Sequence, residues 1–290
     1  MHGVKKVRLL IVLMILSIFL AGCVQQAEVS VSEVEKNVPG ILNYVLRGEK
    51  GSINVELNSE LKQHLADIPR EYPCSPICPP ETKIQQGFLD DKKQESYLIN
   101  LVEQIKSKTD NKDDQVRIAV SLVQHISYDA ITAERYFSDF GNYAKTMPRR
   151  YPYEVLYDNT GVCAEKARLL AFILRELGYG VVLFEFEHES HMTVGIKCDA
   201  HDFMGTGYCF IETTKPIIMT HKVPLATFEG DVNIVSYPKV ITIKDGLSFD
   251  VSEEFNDAQE LKRIISNEVV SREDYNKFLE LRNKYNLFVV

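Results

Sequence analysis

The stretch from Gly161 to Thr213 limits the possible folds of this chain more than any other part. A helix with one apolar side begins at Cys163, and Gly178 is the kind of residue that commonly ends such a helix. The apolar positions that repeat at helical spacing are Ala167, Leu170, Leu174 and Leu177. Three segments of strand-like composition follow, at 181–186, 191–198 and 208–213. This order predicts an α+β domain in which a helix packs on an antiparallel β-sheet.

Three reactive side chains fall at the ends of these predicted elements. Cys163 begins the helix, His191 begins the second strand, and Glu212 lies near the end of the third. A thiol, an imidazole and a carboxylate are the parts of a cysteine acyl-transfer enzyme. The free N–H groups and the macrodipole at a helix N-terminus favour a thiolate, and the same N–H groups can face an oxyanion. His188 is a rival for His191, but it lies among glutamates in a predicted loop and ranks behind.

The pairing of the second and third strands has two competing solutions. On the second strand Met192, Val194 and Ile196 share a face, so His191 is expected on the less apolar side. If His191 lies opposite Glu212, then Cys209 lies opposite Val194, whereas a Cys198–Cys209 disulfide prefers the register in which the two cysteines face each other. A plain hairpin cannot satisfy both, although a bulge could. We favour the histidine and glutamate register and leave the disulfide open.

The amino terminus predicts export. Three basic residues precede an apolar run from Leu9 to Leu20, which is shorter than a membrane-spanning helix usually needs. The run closes on Leu20-Ala21-Gly22-Cys23, which resembles the lipobox of prokaryotic lipoproteins. Residues 1–22 are therefore predicted to be a signal peptide and Cys23 a lipid attachment point at the outer face of the membrane. An ordinary signal peptide cut nearby and an uncleaved anchor are the alternatives.

Charge argues against nucleic acid as a partner. Removing residues 1–22 takes away three positive charges and no acids, so the net charge moves from −8 to −11. The sequence has 290 residues and is 45% hydrophobic, which is enough for one sizeable core with appendages.

Six cysteines raise the question of disulfides in an exported chain. Cys74 and Cys78 lie in a short proline-rich loop that is hard to close, and Cys163 has no obvious partner. A loop between strands is the better interpretation of a second group of polar residues, because they lack the paired spacing of a zinc site. These candidate zinc ligands are Cys198, Asp199, His201, Asp202 and Cys209. No metal and no cofactor is predicted.

The remaining segments have weaker local patterns and support only approximate boundaries. Residues 23–93 form an N-terminal region of uncertain structure, with a possible helix over 34–46, and 94–245 form the core domain. Within the core, helices are predicted over 94–108 and from a cap at Asp113 or Asp114 to Tyr128. Within the core a strand is predicted at 240–243, and residues 246–290 form a C-terminal helical extension, with helices over 252–265 and from Ser271.

Several short motifs in one order resemble the transglutaminase-like superfamily. They cover about half of the chain, roughly residues 94–220, and run as follows: 123–128, 151–156, 161–167, 177–179, 191–195 and 211–214. The resemblance implies a papain-like α+β fold with a Cys-His-Asp triad, here Cys163, His191 and Glu212. Glu212 replaces the more usual aspartate, and Ala164-Glu165 stands where many relatives have Glu-Asp.

The expected chemistry is acyl transfer from a peptide or protein amide. The Cys163 thiolate attacks the carbonyl, and water or an amine resolves the thioester; the sequence does not choose between them. The backbone N–H of Cys163 is the expected oxyanion donor, with Gln124 or Tyr153 as a side-chain partner in the cleft. A scaffolding lipoprotein without turnover is the alternative. A disulfide oxidoreductase is disfavoured, because no second cysteine closely follows Cys163.

Overall fold

A computed structural model describes residues 37–70, 79–138, 149–219, 234–267 and 269–287. Cys23, Cys74 and Cys78 lie outside these residues. The fold is mixed α+β with small sheets. Its helices, α1 to α9, are Ser59–Asp67, Glu81–Leu89, Lys92–Lys106, Lys112–His125, Ala130–Ser138, Pro152–Asp158, Cys163–Glu176, Ser252–Ile265 and Arg272–Tyr285. Its strands, β1 to β8, are Asn37–Leu46, Glu49–Asn58, Ser127–Tyr128, Thr160–Gly161, Val181–Phe186, His191–Lys197, Tyr208–Ile211 and Lys239–Lys244.

Helix α7 lies at the centre of the described part of the chain. It contacts β5 and β6 on one side and α3, α4 and α6 on the others, so its residues are buried on nearly every face. The predicted apolar stripe is buried as expected, and Gly178 has a φ of 95°, a left-handed conformation that glycine adopts readily after a helix. The sequence pattern showed one apolar side, whereas the structure also buries Lys166 and Arg168.

The four-stranded sheet has the order β7-β6-β5-β8, with neighbouring strands antiparallel. The helix-facing side carries aliphatic residues of the main core, among them Leu183, Val194 and Ile211. The other side was expected to be less apolar, and that expectation is wrong. A second cluster covers it, made of Val182, Phe184, Phe186, Phe203, Phe210 and Ile234.

The pairing of β6 with β7 differs from both predicted registers. Cys209 lies opposite Ile196, and Val194 lies opposite Ile211. This register falls midway between the two predictions, so His191 and Glu212 are diagonal neighbours, and so are Cys198 and Cys209. Both contacts form without a bulge in this pair, and Cys198 is bonded to Cys209 with a Cα–Cα distance of 5.8 Å. The argument that a plain hairpin excludes one of them was therefore wrong.

The predicted helix over 34–46 is wrong where the structure describes it. Asn37–Leu46 is strand β1, which pairs with β2 through a two-residue turn at Arg47 and Gly48, both with positive φ. Leu42 and Val45 are buried on opposite faces of this strand, because α4 covers the face that carries Val45. A spacing of three between two buried residues therefore imitated a helix.

The helices before the site were predicted within a few residues. In α3 the predicted stripe of Leu98, Leu101, Val102 and Ile105 is buried. Helix α4 begins two or three residues earlier than expected, since Asn111 is the cap and its side chain accepts a hydrogen bond from the Asp114 N–H at 3.0 Å. It ends at His125 rather than at Tyr128, because Ser127 and Tyr128 pair with Thr160 and Gly161 as β3 and β4.

The C-terminal elements follow the predicted pattern. The strand over 240–243 lies within β8, and Ser271 caps α9 by accepting the Asp274 N–H at 3.0 Å. Among the described residues, no helix combines the length and apolar character needed to cross a bilayer.

Candidate active site

Cys163 occupies the first position of α7, where it is partly exposed and unpaired. The preceding residue, Val162, has no side-chain acceptor to cap the helix. The N–H groups of Cys163 and Ala164 consequently donate to no group in the described part of the chain. A partly exposed sulfur beside two free N–H groups is an arrangement that can hold both a nucleophile and a developing oxyanion.

His191 connects the sulfur to Glu212. Its Nε2 lies 2.9 Å from Oε2 of Glu212, and Cys163 is close enough to the ring to help raise its pKa. Because Nε2 faces the carboxylate, Nδ1 is the nitrogen left for the sulfur. The ring is buried and stacks on Phe186, which belongs to the aromatic cluster of the sheet. The structure therefore brings together the three residues that the sequence predicted as a triad.

Glu212 is held by more than the histidine. Its Oε1 accepts hydrogen bonds from the Thr213 N–H, the Thr214 N–H and the Thr214 hydroxyl, each at 2.8 Å. Both carboxylate oxygens are thus occupied, one by the turn that follows β7 and one by the ring. The additional methylene of glutamate is accommodated, since the carboxylate reaches His191 at normal hydrogen-bond length.

The charges of the pair reinforce each other. Burial opposes protonation of His191, but the charge of Glu212 and the hydrogen bond and charge of Cys163 outweigh it, and the pKa of His191 is raised. Burial likewise opposes ionisation of Glu212, but His191 and the hydrogen bonds from Thr214 outweigh it, and the pKa of Glu212 is lowered. The site therefore favours an imidazolium ring between a carboxylate and a sulfur.

Gln124 and Tyr153 do not have the predicted role in the cleft. The Nε2 group of Gln124 donates to the backbone oxygens of Glu212 at 2.9 Å and Ile217 at 3.0 Å, so both of its N–H groups are engaged. Tyr153 is fully buried, and its hydroxyl contacts the backbone N–H of Asn58 at 2.5 Å. Gln124 anchors the segment that carries Glu212, and Tyr153 anchors the end of β2.

Sequence reasoning missed the group of charges that fixes the start of α7. Glu165 is buried and accepts the Val162 N–H at 3.1 Å and the Arg150 N–H at 2.9 Å. The Arg150 side chain also contacts Asp129 and donates to the Thr160 oxygen at 3.0 Å. An acid at the third position of a helix is a signal for such a cap, but its arginine partner lies fifteen residues away and has no local signature.

The sequence predicts Tyr128 as the end of a helix, yet it lies beside the site. Its pairing with Gly161 places it next to the turn into α7, and 39% of the residue is exposed. Burial of the hydroxyl, with the nearby charges of Cys163 and Glu212, raises the pKa of Tyr128. The phenol therefore stays protonated and can act as a hydrogen-bond donor to a bound molecule.

The residues considered for zinc do not form a metal site. Cys198 and Cys209 are joined to each other, and Asp202 accepts the Gly207 N–H at 2.6 Å. No group of three possible ligands occurs among the residues that the structure describes. His188 lies exposed in the turn between β5 and β6.

The chain matches no known family model, no curated protein and no solved structure. The residues and contacts described above are therefore the basis on which its function can be argued.

Proposed function

We propose that this protein is a cysteine acyl-transfer enzyme of the transglutaminase-like, papain-like type. Cys163 is the nucleophile, His191 the acid and base, and Glu212 the residue that orients the ring. The observation that carries the proposal is the chain of contacts from Glu212 through His191 to a partly exposed sulfur at a helix N-terminus. A nucleophile, a base and an orienting carboxylate in contact are the signature of covalent acyl transfer.

The proposed reaction begins when the Cys163 sulfur attacks the carbonyl carbon of an amide. The carbonyl electrons move to the oxygen, which the N–H groups of Cys163 and Ala164 can bind. His191 gives its proton to the departing amine, and a thioester remains on Cys163. Water or a second amine then attacks the thioester, His191 takes the proton from that nucleophile, and the acyl group leaves the enzyme.

The papain-like topology is proposed on the order of elements. The nucleophile begins a buried helix, the histidine begins a strand that packs on that helix, and the carboxylate follows the next strand of the same sheet. This order supports the resemblance drawn from the sequence motifs. We propose a peptide or protein amide as the substrate.

We propose that the enzyme acts outside the cytoplasmic membrane, attached through lipid on Cys23. The motif around Cys23 supports the attachment, and the Cys198–Cys209 disulfide supports export, because disulfides persist in oxidising compartments.

Trapping the acyl-enzyme tests the proposal. The full chain in detergent is mixed with a library of peptide amides and esters, quenched in acid and analysed by mass spectrometry. We expect an acyl adduct on the peptide that contains Cys163, no adduct in Cys163→Ala, and a loss of about 10³-fold or more in its rate of formation in His191→Ala. Adding a primary amine separates the two outcomes, since an amide product indicates transfer and a free acid indicates hydrolysis.

Arg168→Met is the matched control, because Arg168 lies on the same helix but contacts Gln85 and Phe88. A folded protein that forms no adduct with any member of the library, and whose Cys163 is alkylated no faster than in His191→Ala, would contradict the enzyme and support the scaffolding lipoprotein.

A further inference from the structure

Lys166 is a fully buried lysine one turn after Cys163 on α7. Its Nζ donates to the backbone oxygen of Ile126 at 2.6 Å and to that of Thr214 at 3.2 Å. In the described part of the chain, no carboxylate oxygen lies within ion-pairing distance of this Nζ. The amine thus ends on two carbonyl groups that belong to different parts of the fold.

Both carbonyl groups belong to segments that form the site. Ile126 lies between α4 and β3, the strand that pairs beside the turn into α7. Thr214 is the residue whose N–H and hydroxyl bind the carboxylate of Glu212. Lys166 therefore ties the nucleophile helix to the segment that holds the carboxylate. Gln124 ties the same segment to α4 through the Glu212 oxygen.

Burying a charged amine at this position is energetically unfavourable. A charged group taken out of water without a counter-ion strongly destabilises the folded state, unless it loses its proton. Burial lowers the pKa of Lys166 to about 7, although the charge of Glu212 opposes that change. An apolar side chain at this position would not have to give up hydration of a charge. The neighbouring Ala167, Leu169 and Leu170 are apolar and fully buried in the same helix. The presence of a lysine here is therefore best explained by its hydrogen bonds to the Ile126 and Thr214 oxygens.

We propose that Lys166 is a positioning residue of the active site. Its ammonium group holds the Glu212–Thr214 segment against α7, so that the carboxylate meets His191 while His191 meets Cys163. The inference rests on the proposed function, because it concerns the same three residues. When the lysine loses its proton, the two bonds to carbonyl oxygens weaken, since a charged donor binds more strongly than a neutral one. The reactivity of Cys163 is then lower in the unprotonated form.

The other titratable groups of the site either have a pKa that moves away from neutrality or are unchanged in every variant that is compared. The pKa of His191 is raised, burial and nearby charges raise that of Tyr128, and that of Glu212 is lowered, all of which moves them away from neutrality. Cys163 is unchanged in every variant at Lys166, so a ratio of alkylation rates compares the variants directly at each pH. Burial lowers the pKa of Lys215 as well, but Lys215 is unchanged in every variant at Lys166. The remaining ionisable groups around the site are Asp129, Arg150 and Glu165.

The test is the rate at which iodoacetamide alkylates Cys163 in the full chain, measured by mass spectrometry from about pH 5.5 to about pH 9. Lys166→Arg keeps a charged donor at every pH, and Lys166→Met removes it. We expect the ratio of the Lys166→Arg rate to the wild-type rate to be near one at about pH 6 and to rise several-fold above about pH 8. We expect Lys166→Met to be slower than wild type by about tenfold at about pH 6.

Arg168→Met controls for the loss of a buried cation from α7, and we expect its rate to stay within about twofold of wild type. Lys166→Arg still decides the question if Lys166→Met does not fold. If wild-type alkylation does not depend on His191, the proposed function fails, and this inference fails with it. If it depends on His191, but the Lys166→Arg ratio is flat with pH and folded Lys166→Met matches wild type, only the role of Lys166 is overturned.

Discussion

Two buried glutamates, Glu212 and Glu254, have cationic partners but opposite pKa changes. Glu212 faces His191 and also receives three hydrogen bonds from Thr213 and Thr214. Glu254 is fully buried in α8 and faces Arg117 of α4, with contacts at 2.6 and 3.1 Å. Burial raises the pKa of Glu254 in spite of Arg117, whereas the pKa of Glu212 is lowered in spite of burial.

The difference lies in how many donors each carboxylate receives and with whom its cation is shared. Arg117 also contacts Asp114 and Glu253, and Glu253 in turn contacts Arg47 and Lys284. This network joins α4, α8, α9 and the turn after β1, so its charges connect elements. The donors around Glu212 instead keep a single carboxylate ionised beside a single ring. We interpret the network around Arg117 and Glu254 as structural, and the donors around Glu212 as part of a catalytic site.

The largest expected effect separates the two glutamates by activity. Glu212→Gln should lower acyl-enzyme formation by roughly 10²- to 10⁴-fold, because an amide neither balances the imidazolium nor fixes the ring as a carboxylate does. Glu254→Gln should leave the rate per folded molecule within about twofold. Rates are compared after the folded fraction of each variant is measured by circular dichroism. Equal losses in the two variants would erase the distinction between the sites.

Removing the disulfide tests whether the register of β6 and β7 positions the triad. The double change Cys198→Ser with Cys209→Ser should reduce the free energy of unfolding by about 2–4 kcal/mol, as for disulfides that close short loops. The alkylation rate of Cys163 should also fall, since His191 and Glu212 lie at the other end of the same two strands. Urea unfolding and alkylation are measured on the same preparations. Lost stability with an unchanged alkylation rate would show that the disulfide does not position the pair.

Glu254 should contribute to stability rather than to catalysis. Glu254→Gln should reduce the free energy of unfolding by about 1–3 kcal/mol, because Arg117 loses one buried partner but keeps Asp114 and Glu253. Urea unfolding at about pH 4.5 measures this loss, because the raised pKa of Glu254 makes its contribution to stability complete only at low pH. An unchanged midpoint would mean that the network does not hold α8 in place.

The smallest expected effect concerns the free energy of unfolding, which should depend on pH in opposite ways in Glu212→Gln and Glu254→Gln. Glu212 has a lowered pKa when folded, so its contribution to stability is present above the ordinary 4.5 and is lost as the pH falls below it. Glu254 has a raised pKa, so its contribution is complete below 4.5 and is lost as the pH rises. From about pH 6 to about pH 3.5, the stability difference from wild type should therefore shrink for Glu212→Gln and grow for Glu254→Gln. Urea midpoints across this range check it, and changes of the same sign would contradict the assignment.

The sequence contained the elements of the site but not the contacts that position them. The apolar positions of α7, the stop at Gly178, the strand that begins at His191 and the strand just before Glu212 follow from local patterns, and the structure has them. The register of β6 and β7 could not be predicted, because neither the triad pair nor the cysteine pair is directly cross-strand. Strand β1 was mistaken for a helix because two different neighbours bury its two faces.

The sequence also did not predict which charged residues are buried. Lys166, Glu165 and Arg150 look like ordinary surface residues of an amphipathic helix and a loop, since lysine, glutamate and arginine are seldom buried. Only the three-dimensional contacts show that Lys166 reaches carbonyl oxygens across the fold and that Glu165 accepts the Val162 N–H. The predicted oxyanion partners Gln124 and Tyr153 failed for a related reason, because the polar group of each is already used within the protein.

The central claim is that Cys163, His191 and Glu212 act as one unit. Its most direct test is the alkylation rate of Cys163 at neutral pH in wild type, His191→Ala, Glu212→Gln and the double variant. If Glu212 acts through the ring, Glu212→Gln slows wild type strongly but has no further effect once His191 is alanine. Effects that multiply independently, or a Cys163 rate that is indifferent to both changes, would contradict the account.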